Sequence, residues 1–346
     1  MDIQKALARV VEGEHLSRDD MAAVMRQVMS GDATDAQIGG LLIGLRMKGE
    51  TIDEIAGAAE VMRSLATRVE VDQENLVDLV GTGGDGANLF NVSTASTFVV
   101  AAAGARVAKH GNRSVSSTSG SSDVLEALGV PLDLSPEQVG RAIDEVGLGF
   151  MFAPAHHSAM RYAIGPRREL GMRTLFNILG PLTNPAHVQR QVLGVYSPDL
   201  CEPLAHALQA LGSVHAMVVH SEDGLDEISI AGPTQVSELR DGSIASYRIA
   251  PADFGRDVQT LDGLDVDSAQ ASAELIRGAL RGKDDERSSK AAAIIALNAG
   301  ATIYVSGIAA TLADGVALAD DLIASGQAGE KLKAFVDFTQ MMRDLK

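Results

Sequence analysis

Asn75-Leu76-Val77-Asp78-Leu79-Val80-Gly81-Thr82-Gly83-Gly84-Asp85-Gly86 is an apolar, strand-like run that empties into four glycines within six residues. Glycine reaches positive φ without a Cβ penalty and lets backbone N–H groups come close to a ligand, so such a loop suits phosphate oxygens. Asn91-Val92-Ser93-Thr94 follows, and the compact apolar run 95–103 predicts a helix over 93–103. A helix start offers unpaired N–H donors and the positive end of the dipole, a second device for holding an anion. Strand, glycine loop and helix form the opening of an α/β unit, and the rest of the chain is read from there.

A third junction of the same kind comes next. Residues 105–108 are strand-like and lead into Lys109-His110-Gly111-Asn112-Arg113, then through Ser114 and Val115 into Ser116-Ser117-Thr118-Ser119-Gly120-Ser121-Ser122, ahead of a helix near Asp123. A glycine turn after a strand is common without any ligand, and neither GxxxxGK[ST] nor GxGxxG fits here. Three anion-friendly junctions in one segment are what point to a phosphorylated, strongly anionic small molecule.

Composition narrows the classes. The 346 residues suffice for two domains. Hydrophobic residues make up 46% but aromatics only 3%, with no Trp, so the core must be built from Ala, Val, Leu, Ile and Met. A formal charge of −17 argues against a nucleic-acid binder, which carries a basic footprint. Yet the stretch 150–174 holds Arg161, Arg167, Arg168 and Arg173 against the single acid Glu169, a local excess read as a substrate wall. The lone Cys201 rules out an internal disulfide and a cysteine zinc cluster and is read as structural. Met1-Asp2-Ile3-Gln4-Lys5 lacks the pattern of a signal peptide, and no apolar run is long enough to span a bilayer. The expectation is a cytoplasmic protein with no membrane and no nucleic-acid partner.

The first 70 residues read as short amphipathic helices. Thr34-x-x-Gln37 and Thr51-x-x-Glu54 are capping boxes, and Gly39, Gly40 and Gly44 allow close helix approach. Strand signals start at 75 and then alternate with helices: strand 75–80, helix 93–103, strand 105–109, helices 123–129 and 136–146, strand 148–152. Residues 155–185 interrupt with basic, helical character. Alternation resumes with strand 191–195, helix 199–211 and strand 214–220, followed by a less regular region from Ile228 to Asp262 with short strands. Helices 268–280 and 284–299, a strand 301–305 and two terminal helices end the chain. Alternation of this kind implies a mostly parallel sheet with covered faces.

One further segment carries chemistry. In Val218-Val219-His220-Ser221-Glu222-Asp223-Gly224-Leu225-Asp226-Glu227 a strand runs into adjacent carboxylates. Mg²⁺ uses one or two carboxylates plus substrate phosphates. An exposed acidic loop is the plain alternative, and the phosphate cradle elsewhere favours the metal. His110 lies inside the basic loop, and His157 is given a role in shaping the substrate site; both also suit structural roles.

Taken together, Gly81-Thr82-Gly83-Gly84-Asp85, Asn91-Val92-Ser93-Thr94, Lys109-His110-Gly111-Asn112-Arg113, the run Arg173-Thr174-Leu175-Phe176-Asn177-Ile178-Leu179-Gly180-Pro181-Leu182-Thr183-Asn184-Pro185 and Asp223-Gly224-Leu225-Asp226-Glu227 resemble the anthranilate phosphoribosyltransferases. The motifs stand in the family's order across essentially the whole chain, and no glutamine amidotransferase half precedes them, as in the stand-alone form. The resemblance implies an α/β protein with a small N-terminal helical domain (1–70, completed by roughly 155–185) and a larger α/β phosphoribosyl pyrophosphate-binding domain (71–346) around a mostly parallel central sheet, like the nucleoside phosphorylases. It implies a homodimer formed through the helical part. It implies transfer of the phosphoribosyl group of phosphoribosyl pyrophosphate to the amine of anthranilate, in tryptophan biosynthesis. By the same resemblance, Gly81, Gly84, Asp85, Leu89, Asn91, Val92, Ser93, Thr94, Lys109, His110, Gly111, Asn112, Arg113, Ser114, Val115, Ser116, Ser117 and Ser121 surround the sugar pyrophosphate. Gly81, Asn112 and Arg167 meet anthranilate, and Ser93, Asp226 and Glu227 hold two Mg²⁺ per subunit. An aromatic amine is neutral at pH 7, so no general base is assigned.

Two residues depart from the family's pattern. Leu89 stands where Thr or Ser is frequent, which removes a hydroxyl, and Ser158 follows His157 where Pro is common. A pyrimidine nucleoside phosphorylase would show a differently spaced glycine loop and a longer C-terminal domain. A non-catalytic, nucleic-acid-binding relative would show a basic groove and no paired carboxylates.

Overall fold

Capping residues set the beginning of each N-terminal helix. In this computed structural model, which describes residues 1–113 and 119–345, α1 (Ile3–Val11), α2 (Arg18–Ser30), α3 (Asp35–Lys48) and α4 (Ile52–Leu65) start after Asp2, Ser17, Thr34 and Thr51. Each of those side chains accepts an N–H of the first turn. Both expected capping boxes close. Glu54 does more than cap: fully buried, it also accepts the Leu16 N–H at 2.9 Å and Lys48 Nζ at 2.8 Å, tying the entry of α2 and the end of α3 to α4. A Cβ on Gly44 would meet the Val10 side chain at 2.7 Å, so α1 and α3 pack at the range only glycine permits.

The α/β part opens with β1 (Leu76–Gly81), α5 (Val92–Ala102), β2 (Arg106–Gly111), α6 (Ser121–Leu128), α7 (Pro136–Val146) and β3 (Leu148–Phe152). Then α8 (Ala153–His156), α9 (Arg161–Leu170) and α10 (Leu175–Leu179) return to the bundle. Their Ala163, Leu175, Phe176, Ile178 and Leu179 share one buried cluster with α1–α4. Hydrogen bonds join the two chain segments, with the Arg63 side chain donating through Nε to Leu182 O at 2.6 Å and Thr67 N to His156 O at 2.8 Å. The sheet resumes with β4 (Arg190–Gly194), α11 (Cys201–Ala210), β5 (His215–Ser221), β6 (Thr234–Arg240) and β7 (Ser243–Ile249). Helices α12 (Ala269–Leu280), α13 (Glu286–Ser306), α14 (Leu312–Ala324) and α15 (Gln327–Asp344) cover one face.

Strand order is β3-β2-β1-β4-β5-β6-β7, parallel from β3 through β5 and antiparallel beyond. The chain builds outward from β1 in one direction, then crosses back to β4 on the other side. That reversal leaves a crevice at the C-terminal ends of β1 and β4, where open α/β sheets bind ligands. Cys201 is buried at the start of α11, where burial pushes its thiol up to about 12, an inert structural role.

One expectation fails for an identifiable reason. The stretch 301–305 is not a strand but the last turns of α13. Its β-branched residues suggested extension, but tertiary packing decides. A Cβ on Gly300 would meet the Val316 Cα at 2.5 Å, and one on Gly315 the Gly300 O at 2.3 Å, so α13 and α14 cross almost backbone to backbone. The region after Ile228 carries short strands as expected. β6 and β7 form a hairpin closed by Asp241 and Gly242, both at positive φ as a two-residue I′ turn requires.

The antiparallel extension is pinned to α13 by one carboxylate. Glu238 on β6 lies 2.8 Å from His215 Nε2 and accepts from Tyr247 and Tyr304 hydroxyls at 2.8 Å each. Burial alone would raise Glu238, but these three donors hold it down to about 2. A depressed carboxyl stabilises the fold above its unfolded pKa near 4.5, and that contribution is lost as pH falls from 4.5 towards 2. Glu238→Gln is therefore expected to lose stability on the order of 2–3 kcal/mol at pH 7. Thermal melts should show the gap between variant and wild type narrowing as pH falls below about 4.5 and closed near pH 2. A gap that persists there would assign the effect to packing.

Candidate active site

Gly81 and Gly194 end β1 and β4 side by side, directly across the strand-order reversal. The chain leaves β5 through a turn shaped by Asp223, whose carboxylate accepts the Leu225 N–H and the Ser229 hydroxyl. It then lays Asp226 across both glycines. A Cβ on Gly194 would stand 1.6 Å from Asp226 O, and one on Gly81 2.4 Å from Asp226 Oδ2. Asp226 Oδ2 accepts the Gly83 N–H at 2.7 Å. Next to it Glu227 Oε1 accepts the Ser93 N–H at 3.1 Å, in the first turn of α5. Lys109 Nζ, almost fully buried, donates to Leu79 O at 2.7 Å and lies 3.4 Å from Ser93 Oγ.

The electrostatics of this cluster suit a divalent cation. Burial and then the charge of Asp85 push Asp226 up to about 6, against the pull of the Gly83 N–H and Lys109. Burial and then Asp226 push Glu227 well above the usual carboxylate range. Burial lowers Lys109, while Asp78, Glu227 and Asp226 hold it up. Two adjacent carboxylates resisting ionisation, with a hydroxyl beside them, make a donor set whose repulsion such an ion would relieve. Among the described residues no group of three or more His, Cys, Asp or Glu side chains forms a metal cage. The set fits Mg²⁺ completed by substrate phosphates rather than a closed structural site.

Other expected residues divide. Thr94 is fully buried at the start of α5 and its Oγ1 lacks a partner among the described residues, as a ligand hydroxyl contact would leave it. Asn91 is already engaged: its Oδ1 accepts from Ser119 and Ser272 hydroxyls at 2.9 and 2.8 Å, so it braces the loop before α6. Asp85 Oδ1 accepts the Ala87 N–H, and Gly84 O accepts from the Arg173 guanidinium, which stacks 4.1 Å above the Tyr196 ring. Val92 is buried in the main core, so only its backbone can face a ligand, while Leu89 is half-buried against that core. A Cβ on Gly111 would meet Ser121 Oγ at 2.1 Å, which closes β2 onto α6. Asn112 is exposed, its Oδ1 accepting the Arg113 N–H. Arg113, exposed just past the end of β2, pairs with Asp123 and Glu126 of α6. Ser114, Val115, Ser116 and Ser117 lie outside the described residues.

On the opposite face of β2, His110 stacks against His157 with ring centroids 5.1 Å apart. Burial pushes both imidazoles down, His157 to about 4, and the Nε2 of each lacks a partner among the described residues. Arg167 is half-buried over the Phe176 ring, 5.2 Å from its centroid, and burial lowers it with no carboxylate opposing. Among the described residues no hydrogen bond joins Arg167 to Gly81 or Asn112. The basic wall splits accordingly: Arg167 and Arg173 turn inward, while Arg161 and Arg168 are exposed.

Sequence reasoning missed three supporting residues. Gly194 ends the strand run Gln191-Val192-Leu193-Gly194, a signal as plain as that of Gly81. Asp78, fully buried on β1, takes a 2.7 Å bond from Asn184 Nδ2, which also donates to Ala108 O at 2.8 Å and so fixes the segment beside His110. Asn298 interrupts the apolar run of α13, and that interruption is its only trace in the sequence.

Comparison with known proteins agrees with this geometry. Residues 4–66 match the model of the glycosyl transferase family, helical bundle domain, and residues 73–329 that of the glycosyl transferase family, a/b domain. A protein of Teredinibacter turnerae named anthranilate phosphoribosyltransferase is 63% identical over 341 residues, covering 99% of this chain and 100% of that one. The crystal structure of anthranilate phosphoribosyltransferase from Thermus thermophilus superposes with a TM-score of 0.91 at 43% identity, covering 97% of this chain and 99% of that one. The Saccharomyces cerevisiae enzyme in complex with PRPP and Mg gives 0.87 at 27% identity over 98% of each chain.

Proposed function

We propose a division of labour among the site residues of this chain, which belongs to the anthranilate phosphoribosyltransferase family. It transfers the 5-phosphoribosyl group of phosphoribosyl pyrophosphate to the amine of anthranilate, giving N-(5-phosphoribosyl)anthranilate and pyrophosphate, in tryptophan biosynthesis. The observation that carries our reading is the laying of Asp226 and Glu227 over Gly81, Gly83, Gly194 and the start of α5.

Ser93, Asp226 and Glu227 would hold Mg²⁺, two ions per subunit, whose charge supplies stabilisation of the leaving pyrophosphate. With the Gly83 and Ser93 N–H groups already held by Asp226 and Glu227, the other N–H groups of the glycine loop and of the α5 N-terminus would face the phosphates, with Thr94 Oγ1 as a further donor. Lys109 sits beneath the carboxylates as a fixed positive charge. Asn91 and Ser121 shape the far wall, and Ser114, Val115, Ser116 and Ser117, which lie outside the described residues, belong to the same phosphoribosyl pyrophosphate assignment. The chain thus positions the sugar and faces the charge that develops as the C1–O bond breaks. Arg167 faces the carboxylate of anthranilate, with Gly81 and Asn112 beside it, and no residue needs to deprotonate a neutral amine.

The Arg167→Ala enzyme tests this assignment in an anthranilate fluorescence assay. We expect KM for anthranilate to rise about a hundredfold, the loss of a charge-assisted bond, with KM for phosphoribosyl pyrophosphate nearly unchanged. Equal rises in both would remove Arg167 from the acceptor site.

A homodimer through the helical part belongs to the same reading. Support comes from exposed apolar side chains on the helical part: Val11 of α1 is 73% exposed, Met47 of α3 83%, and Ile164 and Met172 are exposed as well. A sedimentation mass of one chain would remove it. The reaction is placed in the cytoplasm because phosphorylated substrates do not cross membranes; among the described residues no helix is long and apolar enough to cross one. Activity confined to another fraction of the cell would overturn that placement.

A further inference from the structure

Ile228 directly follows the metal-binding carboxylates, is buried, and belongs to no strand. Its N–H and C=O therefore have no ladder partner, a costly condition for buried backbone. Asn298, in the middle of α13 and fully buried, supplies both. Its Oδ1 accepts the Ile228 N–H at 2.9 Å, and its Nδ2 donates to Ile228 O at 2.9 Å. The second Nδ2 proton goes to Ile294 O at 2.9 Å, so only one orientation of the amide satisfies every atom. An asparagine thus takes the place of a neighbouring strand for one residue.

The position of that residue matters. Immediately before it, the Asp226 backbone rests on Gly194 and the Glu227 carboxylate reaches the Ser93 N–H. The same helix α13 also holds α5, since Ser96 Oγ donates to Ile295 O at 3.3 Å as well as to Val92 O at 2.9 Å. One helix therefore fixes both sides of the cation site, the carboxylates through Asn298 and the Ser93 turn through Ile295.

We propose that Asn298 is a positioning residue for the Mg²⁺ ligands, holding the backbone after Glu227 so that both carboxylates converge with Ser93. This rests on the assignment of Asp226 and Glu227 to the metal. Groups that orient metal ligands without touching the ion change affinity by about 10- to 100-fold when removed. A helix-to-loop staple of purely structural use would lower stability and leave affinity for the ion alone.

The test measures Mn²⁺ binding calorimetrically to the full chain with phosphoribosyl pyrophosphate, together with melting temperature and steady-state kinetics. Asn298→Leu keeps the volume and removes all three bonds. Asn298→Asp keeps the acceptor for the Ile228 N–H and serves if the first variant does not fold. Thr339→Val breaks a buried side-chain bond in α15 and controls for lost stability alone. We expect Mn²⁺ affinity to fall about tenfold or more in Asn298→Leu and less in Asn298→Asp, with KM for anthranilate unchanged and no Mn²⁺ effect in Thr339→Val. Affinity within about twofold of wild type in folded Asn298→Leu, or in Asn298→Asp where Asn298→Leu does not fold, overturns the proposal. Asp226→Asn/Glu227→Gln separates the two readings: retained Mn²⁺ binding there fells the metal assignment and this inference with it. Lost binding there beside unaltered Asn298 variants fells this inference alone.

Discussion

Asp226→Asn/Glu227→Gln is expected to leave a folded protein that no longer transfers the phosphoribosyl group, with kcat/KM down about 10³-fold or more, several kcal/mol of transition-state stabilisation. The same variant should melt higher than wild type when no divalent cation is present. Both carboxyls are raised in the folded state, Asp226 to about 6. A carboxyl raised on folding contributes stability in its neutral form, present below its unfolded pKa near 3.8 and lost as pH rises through about 6. At pH 7 wild type carries that loss in full, and the amides do not. Mg²⁺-titrated fluorescence assays and metal-free thermal melts check both halves. Activity that still follows Mg²⁺ would move the metal elsewhere. A lower metal-free melting temperature would mean that the carboxylates hold the fold together through the Gly83 and Ser93 N–H groups more than they repel each other. The expected opposition of activity and stability is what a site built to receive positive charge produces.

The reach of the sequence into this site follows the range of each interaction. The glycine loop, the start of α5 and the Asp226-Glu227 pair are local patterns, and each stands where its spacing put it. The capping boxes at Thr34 and Thr51 closed because their chemistry spans four residues. The pairing of Arg113 was not legible, because its partners Asp123 and Glu126 lie ten and thirteen residues further along the chain. The same holds for Asn91, whose amide is consumed by Ser119 and Ser272, the latter far along the chain. The stretch 301–305 misled because strand-like composition is a weak prior, while the close crossing of Gly300 and Gly315 is a long-range fact. Gly194 and Asn298 act on Asp226 and Ile228 from distant strands and helices, and a polar residue in an apolar helix shows only that something is bonded, not what.

Gly194→Ala carries the other large effect, because the crowding there cannot relax cheaply. The nearest neighbour of an added Cβ is the Asp226 carbonyl oxygen, 1.6 Å away, backbone rather than the end of a flexible side chain. Gly194 itself is held between β1 and β5 by the parallel ladder. Either the centre of the sheet spreads or the Asp226-Glu227 segment lifts off it. The segment is the softer of the two, since it belongs to no strand, so the carboxylates should move before the sheet does. Overpacking of this kind costs about 1–3 kcal/mol of stability, and a displacement near 1 Å at reacting groups costs about a hundredfold in rate. We therefore expect kcat/KM to fall at least about a hundredfold, with a raised Mg²⁺ requirement and a smaller fractional loss in melting temperature. Gly232→Ala, where a Cβ would meet nothing within 4 Å, should be close to wild type in both. Near-normal activity in Gly194→Ala would show that the Asp226 backbone has room to yield without moving its carboxylate, and the close seat on β4 would then matter to folding rather than to the reaction.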